Sequence, residues 1–253
     1  MVLKAVILSA GIGKRLRPLT TYIPKVLISI HGIPLLSIHL DKLKNLGVSE
    51  VFLVLGVEGS CWNSRSYKLI RRISDKYINK GMKLQVLFNE KNISTDSCYS
   101  FKKVISAIRE EKTDLLIIDS DVVYMQRLLE KILDKKTDFS INLITKKVDT
   151  KHIKGARVIL QDHKVKTIGK YVKLDASRDT YMYSGIALID NDSYKEIRSN
   201  LMKTKVYDKY NLVVIYRLFA KKFGNVYATV DDGWININKI QDFIKAHEMV
   251  KPL

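Results

Sequence analysis

Leu8-Ser9-Ala10-Gly11-Ile12-Gly13-Lys14-Arg15-Leu16-Arg17-Pro18, with Pro24-Lys25 shortly after, is the stretch on which the fold turns. It follows directly on Ala5-Val6-Ile7-Leu8, a short apolar run that reads as a buried strand. Glycines just after a strand let the backbone approach a ligand and aim N–H groups at phosphate. Lys14, Arg15 and Lys25 bring positive charge to the same place. Two familiar phosphate motifs do not fit. The dinucleotide fingerprint needs a further glycine where Leu16 stands, and the P-loop needs glycine at Leu8 and Ser or Thr at Arg15.

Outward from this loop, apolar runs alternate with helix-period segments. Leu36, Leu40 and Leu43 fall on one helical face that ends near Gly47, and Val51 to Leu55 reads as the next strand. A polar helix over Ser64 to Asn79 leads to a strand at Leu84 to Phe88. Phe101, Val104, Ile105 and Ile108 mark a helix, Leu115 to Ile118 a strand, and Met125, Leu128, Leu129, Ile132 and Leu133 another helical stripe. This rhythm predicts an α/β fold with a mostly parallel sheet covered on both faces. The second half is richer in strands: Phe139–Ile144, Ala156–Leu160, Val165–Ile168, Met182–Ile189 and Val226–Val230, with a hairpin turn at Gln161 to Lys164. Helices are expected after an Asp192 cap through Leu201, over Asn211–Lys221, and at Ile240 to His247. The expectation is a single domain over 1–253, with 1–135 and 136–253 as its two halves.

The chain has 253 residues, 44 Lys+Arg against 26 Asp+Glu and a formal net charge of +18. A chain of this length buries roughly 70–75% of its unfolded surface and needs no staple. Hydrophobic residues at 46% describe a globular chain, not a disordered one. No apolar run reaches the ~20 residues of a membrane span. The N-terminus reads as a buried strand in preference to a signal peptide, because Lys14, Arg15 and Arg17 follow so closely. Two cysteines, Cys61 and Cys98, and five scattered histidines give neither a disulfide framework nor a zinc pattern, so a cytoplasmic protein is the default expectation. The charge suits acidic partners. Its spread, as in Arg71-Arg72, Lys102-Lys103, Lys146-Lys147 and Lys221-Lys222, argues against nucleic acid, which needs clustered basic and aromatic residues.

The string from Leu8 to Thr20, with Pro24-Lys25-Val26-Leu27, resembles the nucleotidyltransferase family that joins an NTP to a sugar-1-phosphate or phosphorylated alcohol. The resemblance implies a Rossmann-like three-layer fold with a β-rich acceptor-binding part, Mg²⁺ as cofactor, and an NTP and a small phosphorylated acceptor as partners. It implies that Leu8, Ala10, Gly11, Gly13, Lys14 and Arg15 bind nucleotide, with Arg15 and Lys25 on the reacting phosphates. Ser94-Thr95-Asp96-Ser97-Cys98-Tyr99-Ser100 is similar to the loop that sits beside the base in phosphocholine and inositol-1-phosphate cytidylyltransferases, which puts Thr95, Asp96 and Ser97 at the base and favours CTP. Those residues also make an ordinary helix cap, with Ser94 or Thr95 as the capping side chain. dTTP- or UTP-dependent sugar-1-phosphate enzymes remain the alternative. Asp121, at the end of Leu116-Ile117-Ile118-Asp119-Ser120-Asp121, matches the family's metal-binding aspartate. Carboxylates at that place suit Mg²⁺. Lys170 matches the lysine on the acceptor's phosphate, and Tyr183 and Gly185 lie in the segment that meets the acceptor.

One departure stands out. Where the family ends its site in an acidic pair, this chain has Asn236 and Asn238. Three readings follow: Asp121 and triphosphate oxygens hold the metal with Asn238 as neutral ligand, Asp231 or Asp232 substitutes, or the protein is a catalytically impaired homologue that only binds nucleotide.

Overall fold

A computed structural model describes residues 2–108, 112–134, 140–149, 155–172 and 179–250 of the chain. In chain order its elements are β1 (Val2–Ser9), β2 (Ser29–Ile30), β3 (Ile33–Pro34), α1 (Leu35–Asn45), β4 (Glu50–Gly56), α2 (Ser64–Ile78), β5 (Lys83–Asn89), α3 (Ser97–Ala107), β6 (Thr113–Asp119), β7 (Val122–Tyr124), α4 (Gln126–Asp134), β8 (Ile141–Lys147), β9 (Arg157–Gln161), β10 (Lys164–Gly169), β11 (Thr180–Ile189), α5 (Asn191–Met202), α6 (Val213–Phe223), β12 (Val226–Val230), β13 (Trp234–Asn236) and α7 (Ile240–Met249).

The apolar run of β1 is buried on both faces because helices cover both. Ala5 and Ile7 pack with Leu36, Leu40 and Leu43 of α1, Ile70 of α2 and Leu128 of α4. Val6 and Leu8, alternating with them, pack with Phe101 and Val104 of α3, Ile197 of α5 and Phe219 of α6. The period of two along a strand thus divides the core into two layers around one sheet. The i, i+4, i+7 leucines of α1 are each fully buried. The helix stops where Gly47 turns to φ 77 and its N–H returns to Lys44 O.

The nine strands of the sheet run in the order β5-β4-β1-β6-β11-β8-β12-β10-β9. β5, β4, β1 and β6 are parallel, as the βαβα rhythm predicts. The far side is mixed: β12 is parallel to β8, while β11 is antiparallel to β6, β8 and β9. No helix intervenes between β8 and β11 among the described residues. Without a crossover helix, neighbouring strands return antiparallel. The hairpin expected at Gln161–Lys164 joins β9 to β10, with Asp162 and His163 both at positive φ. Asp190, and not Asp192, caps α5, accepting from Ser193 N at 2.7 Å. Phe139, the first residue of one expected strand, lies outside the described residues.

Strand order places the site. From β1 the chain moves outward to β4 and β5, then returns across the sheet to lay β6 against β1's other edge. The loops leaving the carboxyl ends of β1 and β6 therefore diverge and open a crevice, the place where open α/β sheets bind ligands.

A buried ion pair sits at the opposite end of β1. Lys4 Nζ is 2.7 Å from Glu50 Oε2, and Lys83 Nζ is 2.8 Å from Glu50 Oε1. Burial pushes the Glu50 carboxyl up, but the hydrogen bonds from Lys4 and Lys83 outweigh it, and the net effect is below the ordinary carboxylate value. A depressed carboxylate stabilises the fold above its unfolded pKa and loses that contribution as pH falls through its folded pKa. Lys4→Met should therefore cost about 3 kcal/mol at neutral pH by stranding one side of Glu50. Urea unfolding should also show a smaller loss of stability on acidification below pH ~4.5 than in the parent chain.

Candidate active site

The crevice is a cleft of about 350 Å³ walled by the β1 loop, the turn after β6, the segment around Thr95 and Lys170. The β1 loop is fixed from beneath. Leu16, standing where a dinucleotide motif would have glycine, is fully buried and packs with Ile28, Ile30 and Leu35. Gly13 adopts φ +64, and a Cβ there would lie 3.0 Å from Thr20 Cγ2, so no larger residue fits without strain. Thr20 Oγ1 donates to Gly13 O at 2.7 Å and holds that turn. A Cβ on Gly11 would meet nothing within 4 Å, which leaves room for a ligand against the backbone. Leu8, Ala10, Gly11, Gly13, Lys14 and Arg15 all line the cleft, as the sequence reading expects.

Lys25 is aimed by its neighbours. Lys25 opens a short 3₁₀ turn whose other two residues, Val26 and Leu27, are buried, and Lys25 faces the cleft. Its Nζ donates to Asp121 Oδ2 at 2.5 Å and to Asn238 Oδ1 at 3.5 Å. Arg15 Nη2 donates to the same Asn238 oxygen at 2.6 Å. Residues far apart in sequence thus converge on one charged cluster.

The carboxylate turn is held by the backbone. Ser120 N donates to Leu8 O at 3.0 Å, and Ile237 N donates to Asp121 O at 2.8 Å. Asp119 is half-buried at the end of β6 and lines the cleft. Desolvation raises its pKa to about 8, helped by the nearby Asp121 and Asp96 charges and opposed by Lys25. Asp121, with Lys25 against it, is the carboxylate available to a cation.

Gly185 and Tyr183, which the resemblance places at the acceptor, are not among the residues that line the cleft. Gly185 sits at φ +94, and a Cβ there would lie 2.8 Å from Asp119 Oδ2. Its missing side chain is the space that Asp119 fills. Tyr183 is buried edge-on against Tyr216, with ring centroids 5.9 Å apart, and does not line the cleft. The β11–β8 register shifts between Tyr183 and Ala187. Lys170 does line the cleft.

At the other wall, Thr95, Asp96 and Ser97 face the cleft. Asp96, one residue past the caps expected from sequence, caps α3 and accepts from Ser97 N at 2.7 Å. Sequence reading missed Asn89, Asn92, Ser100 and Asn211, which also line the cleft. Asn89 Nδ2 donates to Ser100 Oγ at 3.0 Å and Thr95 Oγ1 at 3.2 Å, bracing the Thr95 segment. Asn92 Oδ1 accepts from Val57 N and Glu58 N. Asn89 and Asn92 flank the carboxyl end of β5, the strand end where ligand groups gather, and that position was the available signal.

Mg²⁺ takes one or two carboxylates and completes its shell with substrate phosphates and water, and Asp121 is a carboxylate of that kind in the cleft. Asn236 Oδ1 is a buried acceptor with no partner among the described residues, but Asn236 is not among the residues that line the cleft. Asn238 Oδ1, the other amide oxygen considered, is engaged by Arg15 and Lys25. Asp231 and Asp232 do not substitute. They line a separate cleft, where Asp231 pairs with Arg127 and Lys131. Among the described residues no three His, Cys, Asp or Glu side chains form a metal cluster.

Residues 4–251 match the family described as Nucleotidyl transferase, and the chain belongs to that family. It is 24% identical to the CTP:phosphoglutamine cytidylyltransferase of Campylobacter jejuni, over 95% of this chain and 97% of that protein. It is 27% identical to the choline-phosphate cytidylyltransferase of Streptococcus pneumoniae, a match that spans 55% of this chain and about half, 53%, of that relative's length. A structure of the inositol-1-phosphate CTP transferase from T. maritima superposes with a TM-score of 0.75 at 23% identity, over 98% of this chain and 94% of that one. A glucose-1-phosphate thymidylyltransferase structure from Bacillus anthracis gives 0.79 at 16% identity, over 100% and 96%. These structural likenesses establish the shared fold.

Gly185→Ala should destabilise the chain by about 2 kcal/mol, since it combines a positive-φ backbone with a clash on the Asp119 carboxyl. Thermal unfolding reads that loss, and a midpoint equal to the parent's would show that Asp119 has room to move.

Proposed function

We propose that this chain is a nucleotidyltransferase that joins an NTP, with CTP favoured, to a phosphorylated alcohol or sugar-1-phosphate and releases pyrophosphate. The observation that carries the reading is the convergence in one cleft of a glycine loop, the cations Lys14, Arg15, Lys25 and Lys170, and the Asp119–Asp121 turn. CTP is favoured because the relatives from C. jejuni and S. pneumoniae and the T. maritima structure carry cytidylyl-transfer names. The thymidylyltransferase likeness supports the second reading, a sugar-1-phosphate enzyme using dTTP or UTP.

The chemistry follows from the residues. An acceptor phosphate is already anionic at pH 7, so its oxygen attacks the α-phosphorus of the NTP without a general base, and pyrophosphate leaves in line. What the protein must supply is alignment and charge neutralisation. The Gly11–Gly13 backbone and Lys14 receive the β- and γ-phosphates. Arg15 turns from Asn238 to the departing pyrophosphate. Lys25 neutralises the α-phosphate, and Lys170 holds the acceptor's phosphate. Asp121 would hold Mg²⁺, which when bound draws charge from the phosphate oxygens.

Lys25→Ala removes one charge-assisted contact and should lower kcat by about 10²–10³ with the fold intact by circular dichroism. A pyrophosphate-release panel tests the reading as a whole. It crosses CTP, UTP, dTTP, ATP and GTP with inositol-1-phosphate, phosphocholine and glucose-1-phosphate. The expected result is release with CTP and a phosphorylated alcohol, stopped by EDTA and restored by Mg²⁺. Nucleotide binding by calorimetry with no release across the panel would instead support the impaired homologue.

A further inference from the structure

Behind the carboxylate turn, on the side away from the cleft, lies a buried polar group that the proposed chemistry leaves unused. His39 of α1 is fully buried. Its Nε2 is 3.3 Å from Ser120 O and its Nδ1 is 3.3 Å from Tyr124 Oη, and its ring stacks on that of Tyr124 at 5.6 Å. A carbonyl oxygen can only accept, so Nε2 carries the proton and Nδ1 accepts from the tyrosine hydroxyl. Burial pushes the imidazole pKa down to about 4, and the ring is neutral at pH 7.

From this arrangement we infer that His39 is a positioning residue: together with Tyr124 it clamps the Ser120 carbonyl and so sets where Asp121 presents its carboxylate. The inference rests on the reading of Asp121 given under Proposed function. Three further observations give it weight. The turn is tied to β1 through Ser120 N and, through Asp121 O, to Ile237 just after β13, while the Ser120 carbonyl faces His39 of α1. Ser120 is 6% exposed, so a carbonyl that lost the histidine would be poorly solvated. Tyr124 lies in β7, whose ladder with β13 pairs Trp234 with Tyr124 and Asn236 with Val122. A shift at His39 therefore reaches the Asn236–Asn238 segment through β13 as well as Asp121 directly. An apolar residue would fill the same volume and leave the carbonyl unpaired. That difference separates positioning from simple packing.

The test uses the full chain with His39→Leu, His39→Gln and Tyr124→Phe. Gln keeps an N–H where the imidazole Nε2 stands; Leu does not. Hydrogen exchange of residues 119–124, measured without substrate, should speed up by about 10-fold in His39→Leu and stay near the parent rate in His39→Gln. In turnover with the best substrate pair, His39→Leu should lower kcat by about 10-fold and raise the Mg²⁺ concentration for half-maximal rate, with the acceptor KM unchanged and His39→Gln largely restored. Tyr124→Phe should fall between them. Unchanged exchange in the turn for His39→Leu would overturn the inference, as would faster exchange spread evenly over the sheet with kcat retained. If the parent chain released no pyrophosphate with any pair, the functional reading would fail, while the exchange result would still decide whether His39 clamps the turn.

Discussion

Everything in the cleft depends on one constraint: β1 is a buried strand whose two neighbours lead the chain in opposite directions. Parallel pairing on both edges consumes its backbone donors and acceptors. The chain can leave the sheet only at the carboxyl end, and there the next residues face open space because the crossovers have parted. A loop at that point has to satisfy itself. Gly13 and Thr20 close one turn, Leu16 anchors it, and the remaining N–H groups and cations point at whatever enters. The placing of glycines and cations at the mouth of the cleft is thus a result of topology and composition together.

The charged cluster shows how such a site stays stable with like charges crowded into it. Asp119 is half-buried, its carboxyl pKa raised by desolvation, and fitted beside a glycine. Asp121 is paired with Lys25, and Arg15 leans on an amide in place of a carboxylate. An amide oxygen accepts a hydrogen bond from Arg15 without binding it as a full charge would. Asn238 therefore leaves Arg15 less tightly committed to the wall of the cleft than an aspartate there would.

Much of this was legible in the sequence, for physical reasons. Helices α1 and α4 announced themselves because an amphipathic helix must repeat its apolar residues near every turn. The β1 loop did so because glycine and cations have few other reasons to follow a buried strand. The direction of β11 was not legible, since a strand's own residues do not say which neighbour it meets. The three-residue β7 and β13 escaped notice because each is too short for a pattern and finds its partner across more than a hundred positions. Tyr183 was named from the resemblance alone, and its edge-on packing against Tyr216 is a contact across the fold that its own strand does not announce. His39 was one of five scattered histidines, and its partners Ser120 and Tyr124 lie on a segment far along the chain.

The insertion of β11 between β6 and β8 also bears on how the chain comes off the ribosome. Once β6 has been made, four parallel strands and their helices can assemble, but β6 then ends the sheet with its outer edge unpaired. The strand that covers it is Thr180–Ile189, and β8, β9 and β10 are all synthesised in the interval. An exposed edge of buried, apolar character is an invitation to other nascent chains. The half of the molecule that carries the glycine loop is therefore vulnerable to misassembly during synthesis until the second half supplies its missing neighbour.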